Sequence, residues 1–211
     1  MKSRKSLLKK SQLYLILDKP TFGNGSLKKI CWAVKNSPVG LLQLRDKKSV
    51  KSQVLRLAIK LANEFRKSKT LFIVNDDLDL AVAIGADGVH LGQDDLSLQQ
   101  ARRILGADKI IGISCHSLRQ ALRAQKAGAD YIGVGPIFST STKLGSKPIG
   151  LEVLRQLKNK IKIPYFAIGN INMANISKII DTKTKRVAVC RAIIKAKDFK
   201  LAIKQFNKIL K

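Results

Sequence analysis

Short apolar runs recur eight times along the chain, and each is followed by polar or charged residues. The runs lack strict alternation with polar residues, which is typical of strands that are buried on both faces. They occupy residues 13–17, 40–44, 71–74, 88–91, 110–113, 131–134, 165–168 and 186–189. Between them lie segments with an apolar residue at every third or fourth position, as in 50–65 and 199–209, which predicts helices. Strands and helices that alternate eight times predict an α/β fold of the TIM (β/α)8 barrel type.

A single barrel domain is expected over residues 1–211, because no linker divides the chain. The basic segment 1–11 is expected to be a flexible extension, and Ser49 and Ser117 are expected to cap helices. No apolar run approaches the roughly 18–20 residues that span a membrane, and segment 1–11 has too few apolar residues for a secretory signal. Three widely separated cysteines indicate neither a disulfide framework nor a metal-binding pair, so a cytoplasmic location is expected.

The net charge of +27 arises from 41 lysines and arginines against 14 acidic residues. Such an excess can neutralise the phosphates of a nucleic acid. Here, however, the lysines are spread over nearly every predicted helix, and no basic run is interleaved with aromatic residues. We therefore expect solvated helix surfaces rather than nucleic-acid binding, and an electrostatic field that attracts small anions.

A weak internal repeat links two of the predicted strands. The sequence GADGVHLG at 85–92 resembles GADYIGVG at 128–135. In both copies a glycine is expected to end a helix in the left-handed conformation, and a small polar pair leads into the next strand. The glycine is missing before the eighth strand.

Carboxylates follow two neighbouring predicted strands, at the end of the barrel where TIM-barrel chemistry occurs. Asp76 follows the third strand and Asp95 the fourth, so the two side chains are expected to share one cation. Mg²⁺ prefers such oxygen ligands and completes its shell with water and substrate phosphate. Arg45, Lys47 and Lys143, expected at the same end, suit phosphate oxygens. The combination predicts a magnesium–diphosphate site.

Other interpretations exist for these residues. Arg45 and Lys47 could belong to an exposed turn, and Asp76 and Asp95 could cap the helices that follow them. His116, at the same end, could be a general base or a structural hydrogen-bonding group. The other candidates at this end are Gln43, Asn75, Ser114, Thr140, Thr142, Gly169, Asn170, Cys190 and Arg191, with Cys115 expected to pack in the core.

Seven segments resemble the thiamine-phosphate synthase family, in the family's order, over roughly residues 13–194. They are QLRDK, FIVNDDLDLA, ADGVHLGQDD, IGISCHS, GADYIGVGPIF, TSTK and PYFAIGNI. The resemblance implies a TIM barrel that joins hydroxymethylpyrimidine diphosphate to thiazole phosphate, which releases diphosphate and forms thiamine phosphate. It implies that Asp76 and Asp95 hold Mg²⁺. It further implies that the pyrimidine diphosphate is bound by Gln43, Arg45, Lys47, Asn75 and Lys143.

The same resemblance implies that Ser114 contacts the substrate and that Thr140 and Thr142 touch the thiazole phosphate. We expect Arg45, Ser114 and Lys143 to carry catalysis. These assignments describe charge neutralisation at a leaving group rather than an attacking side chain.

Two positions depart from the family pattern. The family usually has paired glycines after the seventh strand, where this chain has Gly169 and Asn170. After the eighth strand the family commonly has a small apolar residue and a serine, where this chain has Cys190 and Arg191. All four residues are expected near the thiazole phosphate. Arg191 could replace the lost phosphate contacts, or it could mark a decayed site.

The thiazole tautomerase branch is the close alternative. It shares the barrel and the histidine of the SCHS segment, but it tends to lose the carboxylates and the TSTK loop, so the synthase is favoured. A non-catalytic binder of thiazole phosphate or nucleic acid is a third alternative, and a homo-oligomer is compatible with the sequence.

Overall fold

Eight parallel strands close into a barrel in chain order, with β8 paired to β1. They are β1 (Leu13–Asp18), β2 (Val39–Arg45), β3 (Leu71–Asn75), β4 (Gly88–Leu91), β5 (Ile110–Cys115), β6 (Tyr131–Val134), β7 (Tyr165–Ile168) and β8 (Val187–Val189). The structure, a computed structural model, describes residues 3–23, 25–140 and 147–211. The predicted TIM barrel is confirmed, and each predicted strand lies within two residues of an observed one.

The described helices surround the strands. They are α1 (Arg4–Lys10), α2 (Lys19–Phe22), α3 (Leu27–Lys35), α4 (Lys51–Phe65), α5 (Leu78–Ala83), α6 (Leu98–Leu105), α7 (Leu118–Lys126), α8 (Glu152–Leu157), α9 (Ile176–Asp181), α10 (Arg191–Ile194) and α11 (Phe199–Leu210). Apolar spacing therefore predicted α4 and α11 correctly. Within the described ranges, no helix is long and apolar enough to cross a membrane.

One of the two predicted helix caps is observed. The Ser117 side chain accepts a hydrogen bond from the backbone N–H of Gln120 and caps α7. The prediction for Ser49 is wrong, because Val50 stands at the cap position of α4 without a side-chain hydrogen bond. The backbone N–H of Ser49 is instead bound by the Asp46 carboxylate in the turn before the helix.

Helix α1 differs from the flexible extension expected for segment 1–11. Its Leu8 is only 2% exposed and packs with residues that fill the inside of the barrel. Arg4 contacts the carboxylate of Asp87 at 2.5 Å, and Lys5 contacts that of Asp130 at 3.2 Å. Because Asp87 and Asp130 precede β4 and β6, α1 covers the amino-terminal end of the barrel. Burial of Leu8 and these ion pairs order a segment whose composition suggested flexibility.

The internal repeat has the predicted conformation. Gly85 follows α5 with φ 65°, and Gly128 follows α7 with φ 92°. The equivalent acidic residues also perform the same task, since Asp87 accepts a hydrogen bond from a backbone N–H of β3 and Asp130 from one of β5. The repeat is thus one structural unit used twice.

Candidate active site

A cavity of about 700 Å³ opens at the carboxyl ends of the strands. Most of the residues predicted to form the site line it. They are Gln43, Arg45, Lys47, Asn75, Asp76, Asp95, Ser114, Thr140, Gly169, Asn170, Cys190 and Arg191. Thr142 and Lys143 lie outside the described residues.

Asp76 and Asp95 meet at the rim of this cavity. Their side chains lie close enough to interact electrostatically, and Asp95 accepts a hydrogen bond from the backbone N–H of Gly92 at 2.6 Å. Partial burial raises the pKa of Asp95, and the nearby Asp76 raises it further, while the bond from Gly92 opposes the change. Two carboxylates this close repel each other when both are ionised, and a shared cation relieves that repulsion.

The helix caps next to these carboxylates are other residues. Asp77 caps α5 by accepting a hydrogen bond from the backbone N–H of Leu80, and Ser97 caps α6. The interpretation of Asp76 and Asp95 as caps is therefore wrong. Asp76 itself has φ 60°, in the left-handed region that an aspartate adopts more readily than most side chains.

Arg45 and Lys47, at the end of β2, line the same cavity. Lys47 Nζ lies 2.7 Å from Asp76 Oδ2, and the lysine side chain is 54% exposed. Arg45 donates a hydrogen bond to the buried carboxylate of Asp18, which also accepts one from the Thr21 hydroxyl. Arg45 is thus held at the end of β2 by a buried ion pair and is not part of a freely exposed turn.

A chain of hydrogen bonds crosses the inside of the barrel below the rim. Gln43 Nε2 donates to the Tyr14 hydroxyl at 2.5 Å, and the Tyr14 and Tyr131 hydroxyls are 2.9 Å apart. His90 lies 3.0 Å from the Tyr131 hydroxyl through Nδ1 and 3.0 Å from the Ser114 hydroxyl through Nε2. Burial lowers the pKa of His90 to about 4, so its ring is neutral at pH 7.

Sequence reasoning missed three members of this chain. All three lie inside predicted strands, in the runs 13–17, 88–91 and 131–134, where apolar patterning alone does not mark them as site residues. Tyr14 and His90 in fact line the cavity. A signal was present, because a histidine or tyrosine inside a buried strand must find hydrogen-bond partners there.

The turn after β7 keeps its shape despite the departure from paired glycines. Gly169 has φ 111°, and a Cβ at this position would lie 2.6 Å from Pro136. Asn170 follows with φ 51°, which asparagine tolerates. Its carbonyl accepts hydrogen bonds from the side-chain amides of Asn172 and Asn175. The replacement at 170 is therefore accommodated by the backbone.

The residues after β8 lie beside this turn. Arg191 is the first residue of α10 and is exposed at the cavity. Cys190 is partly buried, and burial raises the pKa of its thiol to about 12, so it is a neutral group there. Arg191 therefore lines the same cavity as the turn at 169–170.

The remaining candidates for a base or a nucleophile, His116 and Cys115, are hydrogen-bonded or buried. His116 Nδ1 is hydrogen-bonded to the carbonyl of Gly135. Cys115 is fully buried, and burial raises the pKa of its thiol to about 12, so the prediction that it packs in the core is confirmed. Among the described residues, no three His, Cys, Asp or Glu side chains form a group that could hold a metal ion.

The chain is similar to proteins of one family along most of its length. A family model described as "Thiamine monophosphate synthase" matches residues 13–193. Thiamine-phosphate synthase of Halalkalibacterium halodurans is 42% identical over 94% of this chain and 95% of its own. That of Clostridium acetobutylicum is 41% identical over 90% of both chains.

A solved structure agrees with these sequence matches. Thiamine phosphate pyrophosphorylase from Pyrococcus furiosus superposes with a TM-score of 0.84 at 33% identity, covering 98% of this chain and 96% of that one. Relatives of this kind are transferases. With a closed barrel, a cavity at its carboxyl end and matches over nearly the full length, the chain belongs to the thiamine monophosphate synthase family.

Proposed function

We propose that this protein couples hydroxymethylpyrimidine diphosphate to thiazole phosphate in a Mg²⁺-dependent reaction that yields thiamine phosphate and diphosphate. The observation that carries the proposal is the meeting of Asp76 and Asp95 at the rim, with Lys47 paired to Asp76 and Arg45 lining the same cavity. A cavity of about 700 Å³ is within the range of roughly 300–1,000 Å³ that small-molecule sites occupy. The reaction is proposed to occur in the cytoplasm, because Cys31, Cys115 and Cys190 are unpaired.

The chemistry of Asp76 and Asp95 suits Mg²⁺. Two oxygen ligands leave coordination positions for water and for substrate phosphate, which is how Mg²⁺ is usually held. The carboxylate of Asp76 already accepts a cation, the Lys47 ammonium. When bound, Mg²⁺ would neutralise negative charge on the diphosphate and so improve it as a leaving group.

The main task of the side chains is to stabilise the departing diphosphate. The bond between the pyrimidine methylene carbon and the diphosphate oxygen breaks, and its electron pair leaves on that oxygen. The methylene cation is stabilised by the electron-rich aminopyrimidine, and the thiazole nitrogen then donates its lone pair to form the new C–N bond. Arg45 and Lys47 offer fixed positive charge where negative charge develops. We also assign Asn75 to the diphosphate, and Lys143 by sequence alone.

This chemistry needs little acid–base catalysis. A neutral, buried His90 and a hydrogen-bonded His116 are compatible with a reaction in which no side chain attacks the substrate. Close approach of the two substrates is the second requirement, and one shared cavity supplies it. Gln43 and Ser114 are assigned to the pyrimidine.

The thiazole phosphate is assigned to the opposite side of the cavity, at the turn of 169–170. There Gly169 and Asn170 line the cavity, and the absence of a Cβ at Gly169 lets the turn pack against Pro136. Arg191 is proposed as a phosphate contact in place of the family's serine, with Cys190 against the ring. Thr140 lines the same cavity and completes the set, with Thr142 assigned by sequence alone.

The decisive experiment is an assay of thiamine phosphate formation with both substrates, with and without Mg²⁺. We expect product only with Mg²⁺, and a loss of at least about 10²-fold in kcat/KM for Asp95→Asn. Asp79→Asn, which removes an exposed carboxylate from α5, is the matched control and should keep full activity.

Other outcomes would select the alternatives. Conversion of the thiazole tautomer by folded protein without thiamine phosphate formation would place the protein in the tautomerase branch. Salt-sensitive, Mg²⁺-independent binding of DNA without any turnover would indicate a non-catalytic binder.

A further inference from the structure

Five polar side chains from five strands form the hydrogen-bonded chain described above, which runs from Gln43 on β2 to Ser114 on β5. Its three middle members are Tyr14, Tyr131 and His90, each at most 8% exposed. Both ends line the cavity. A buried chain of this kind costs free energy unless every member is paired, so its protons must be arranged consistently.

The arrangement of protons has a direction. A phenol has one proton to donate, and a neutral imidazole has one N–H and one acceptor nitrogen. The Gln43 amide N–H donates to the Tyr14 oxygen. The protons of the three middle members are then all paired within the hydrogen-bonded chain when Tyr14 donates its own proton onward to Tyr131. In this arrangement Tyr131 donates to Nδ1 of His90, and His90 holds its proton on Nε2.

The direction determines what the chain presents to the cavity. Because the Nε2 proton of His90 is directed at the Ser114 oxygen, the hydroxyl proton of Ser114 is left to donate elsewhere. At the other end the amide nitrogen of Gln43 is engaged by Tyr14, which leaves the amide oxygen for the cavity. One end therefore offers an acceptor and the other a donor.

We propose that Tyr14, Tyr131 and His90 are positioning residues that select an aminopyrimidine over an oxopyrimidine. They do so by fixing Gln43 as an acceptor and Ser114 as a donor. This inference rests on the proposed function and identifies which feature of the substrate ring the site recognises. An amino group donates to the Gln43 oxygen and a ring nitrogen accepts from Ser114, whereas an oxo group in place of the amino group presents a second acceptor to Gln43.

The direction of the chain can be measured without any substrate. Long-range proton–nitrogen NMR correlations report which imidazole nitrogen carries the proton. The sequence has only two histidines, so His116→Gln assigns the signals of His90. We expect a single Nε2–H tautomer for His90. An Nδ1–H tautomer would reverse the chain and overturn the proposal.

Selectivity is tested by binding of the aminopyrimidine diphosphate and its oxo counterpart, measured by calorimetry with Mg²⁺. We expect the wild type to prefer the amino compound by about 10³-fold or more. Tyr131→Phe removes one hydroxyl and should lower this preference about tenfold, with Tyr14→Phe as a second test. Tyr165→Phe is the matched control, because Tyr165 is the only other tyrosine in the sequence and is not a member of the hydrogen-bonded chain.

The outcomes separate this inference from the proposed function. Unchanged binding of inorganic diphosphate shows that a variant is folded, and an unchanged amino preference in such a variant overturns the inference. If the wild-type protein binds neither pyrimidine, the proposed function is overturned instead. The NMR measurement of the His90 tautomer then still tests the direction of the hydrogen-bonded chain. If both tyrosine variants fail to fold, the His90 tautomer in the wild-type protein remains the test, and an Nδ1–H tautomer overturns the inference.

Discussion

Lys47 Nζ lies 2.7 Å from Asp76 Oδ2 at the carboxyl ends of β2 and β3, and it is the more exposed member of the pair. An exposed ion pair contributes little to stability, about 0–1 kcal/mol. Because Lys47 lies at the proposed diphosphate site but contributes little to stability, its removal can test a role in activity separately from a role in folding.

We expect Lys47→Met to lower kcat/KM for the pyrimidine diphosphate by roughly 10²-fold, because a fixed charge near the leaving group is lost. The free energy of unfolding should change by less than about 0.5 kcal/mol. Steady-state kinetics and urea unfolding measure the two effects. Lys48→Met, the exposed neighbouring lysine, is the matched control, and an equal loss in that variant would contradict the prediction.

Arg191 should act on the thiazole phosphate. Arg191→Ser restores the residue common in the family, yet we expect it to raise KM for thiazole phosphate about tenfold, because one charge-assisted phosphate contact is lost. kcat at saturating thiazole phosphate should be nearly unchanged. Lys195→Ser, at the exposed end of α10, tests whether any nearby cation has the same effect. A lower KM in Arg191→Ser would instead mark a decayed site.

The free energy of unfolding should decrease as the pH is lowered, because of His90. Burial lowers the pKa of this histidine from 6.5 to about 4, so between these values the unfolded chain binds a proton that the folded protein does not. The contribution of neutral His90 to the free energy of unfolding is fully present above about pH 6.5 and is lost as the pH falls towards 4. Its size is roughly 3 kcal/mol.

Urea unfolding at pH 7 and pH 4.5 measures this effect in Mg²⁺-free protein. The decrease in unfolding free energy should be smaller by about 2–3 kcal/mol in His90→Gln than in the wild type. His116→Gln is the control and should keep the wild-type decrease. An identical decrease in all three proteins would show that other groups cause the acid sensitivity.

Leu8 should contribute to stability without affecting catalysis. It is 2% exposed in α1, and Leu8→Ala should lower the free energy of unfolding by roughly 2–5 kcal/mol, the usual cost of deleting a buried leucine side chain. KM and kcat should stay within about twofold, because α1 covers the end of the barrel opposite the cavity. Leu201→Ala removes a leucine that is 52% exposed and should cost less than about 0.5 kcal/mol.

Strands and rim residues could be predicted from sequence because their signals are local. An apolar run ends in polar residues where a buried strand reaches the rim, so Asp76, Asp95 and Arg45 could be placed without a structure. Resemblance to the family added the proposed roles of these residues.

The inside of the barrel could not be predicted in the same way. When a strand is buried on both faces, apolar residues occupy both, and sequence periodicity does not separate the face toward the helices from the face toward the axis. Tyr14 and His90 were therefore not assigned to the cavity. Helix α1 was missed for another reason, since its order depends on Asp87 and Asp130, which are distant in sequence.

Helix α1 is fastened to both copies of the internal repeat, through Arg4 at Asp87 and Lys5 at Asp130. These contacts close the barrel at one end, while the residues that depart from the family pattern, Asn170 and Arg191, lie at the other. Changes in the turn after β7 and in α10 can therefore accumulate without disturbing the contacts of α1. A lineage that alters its substrate end keeps a closed, folded barrel in which new recognition can be explored.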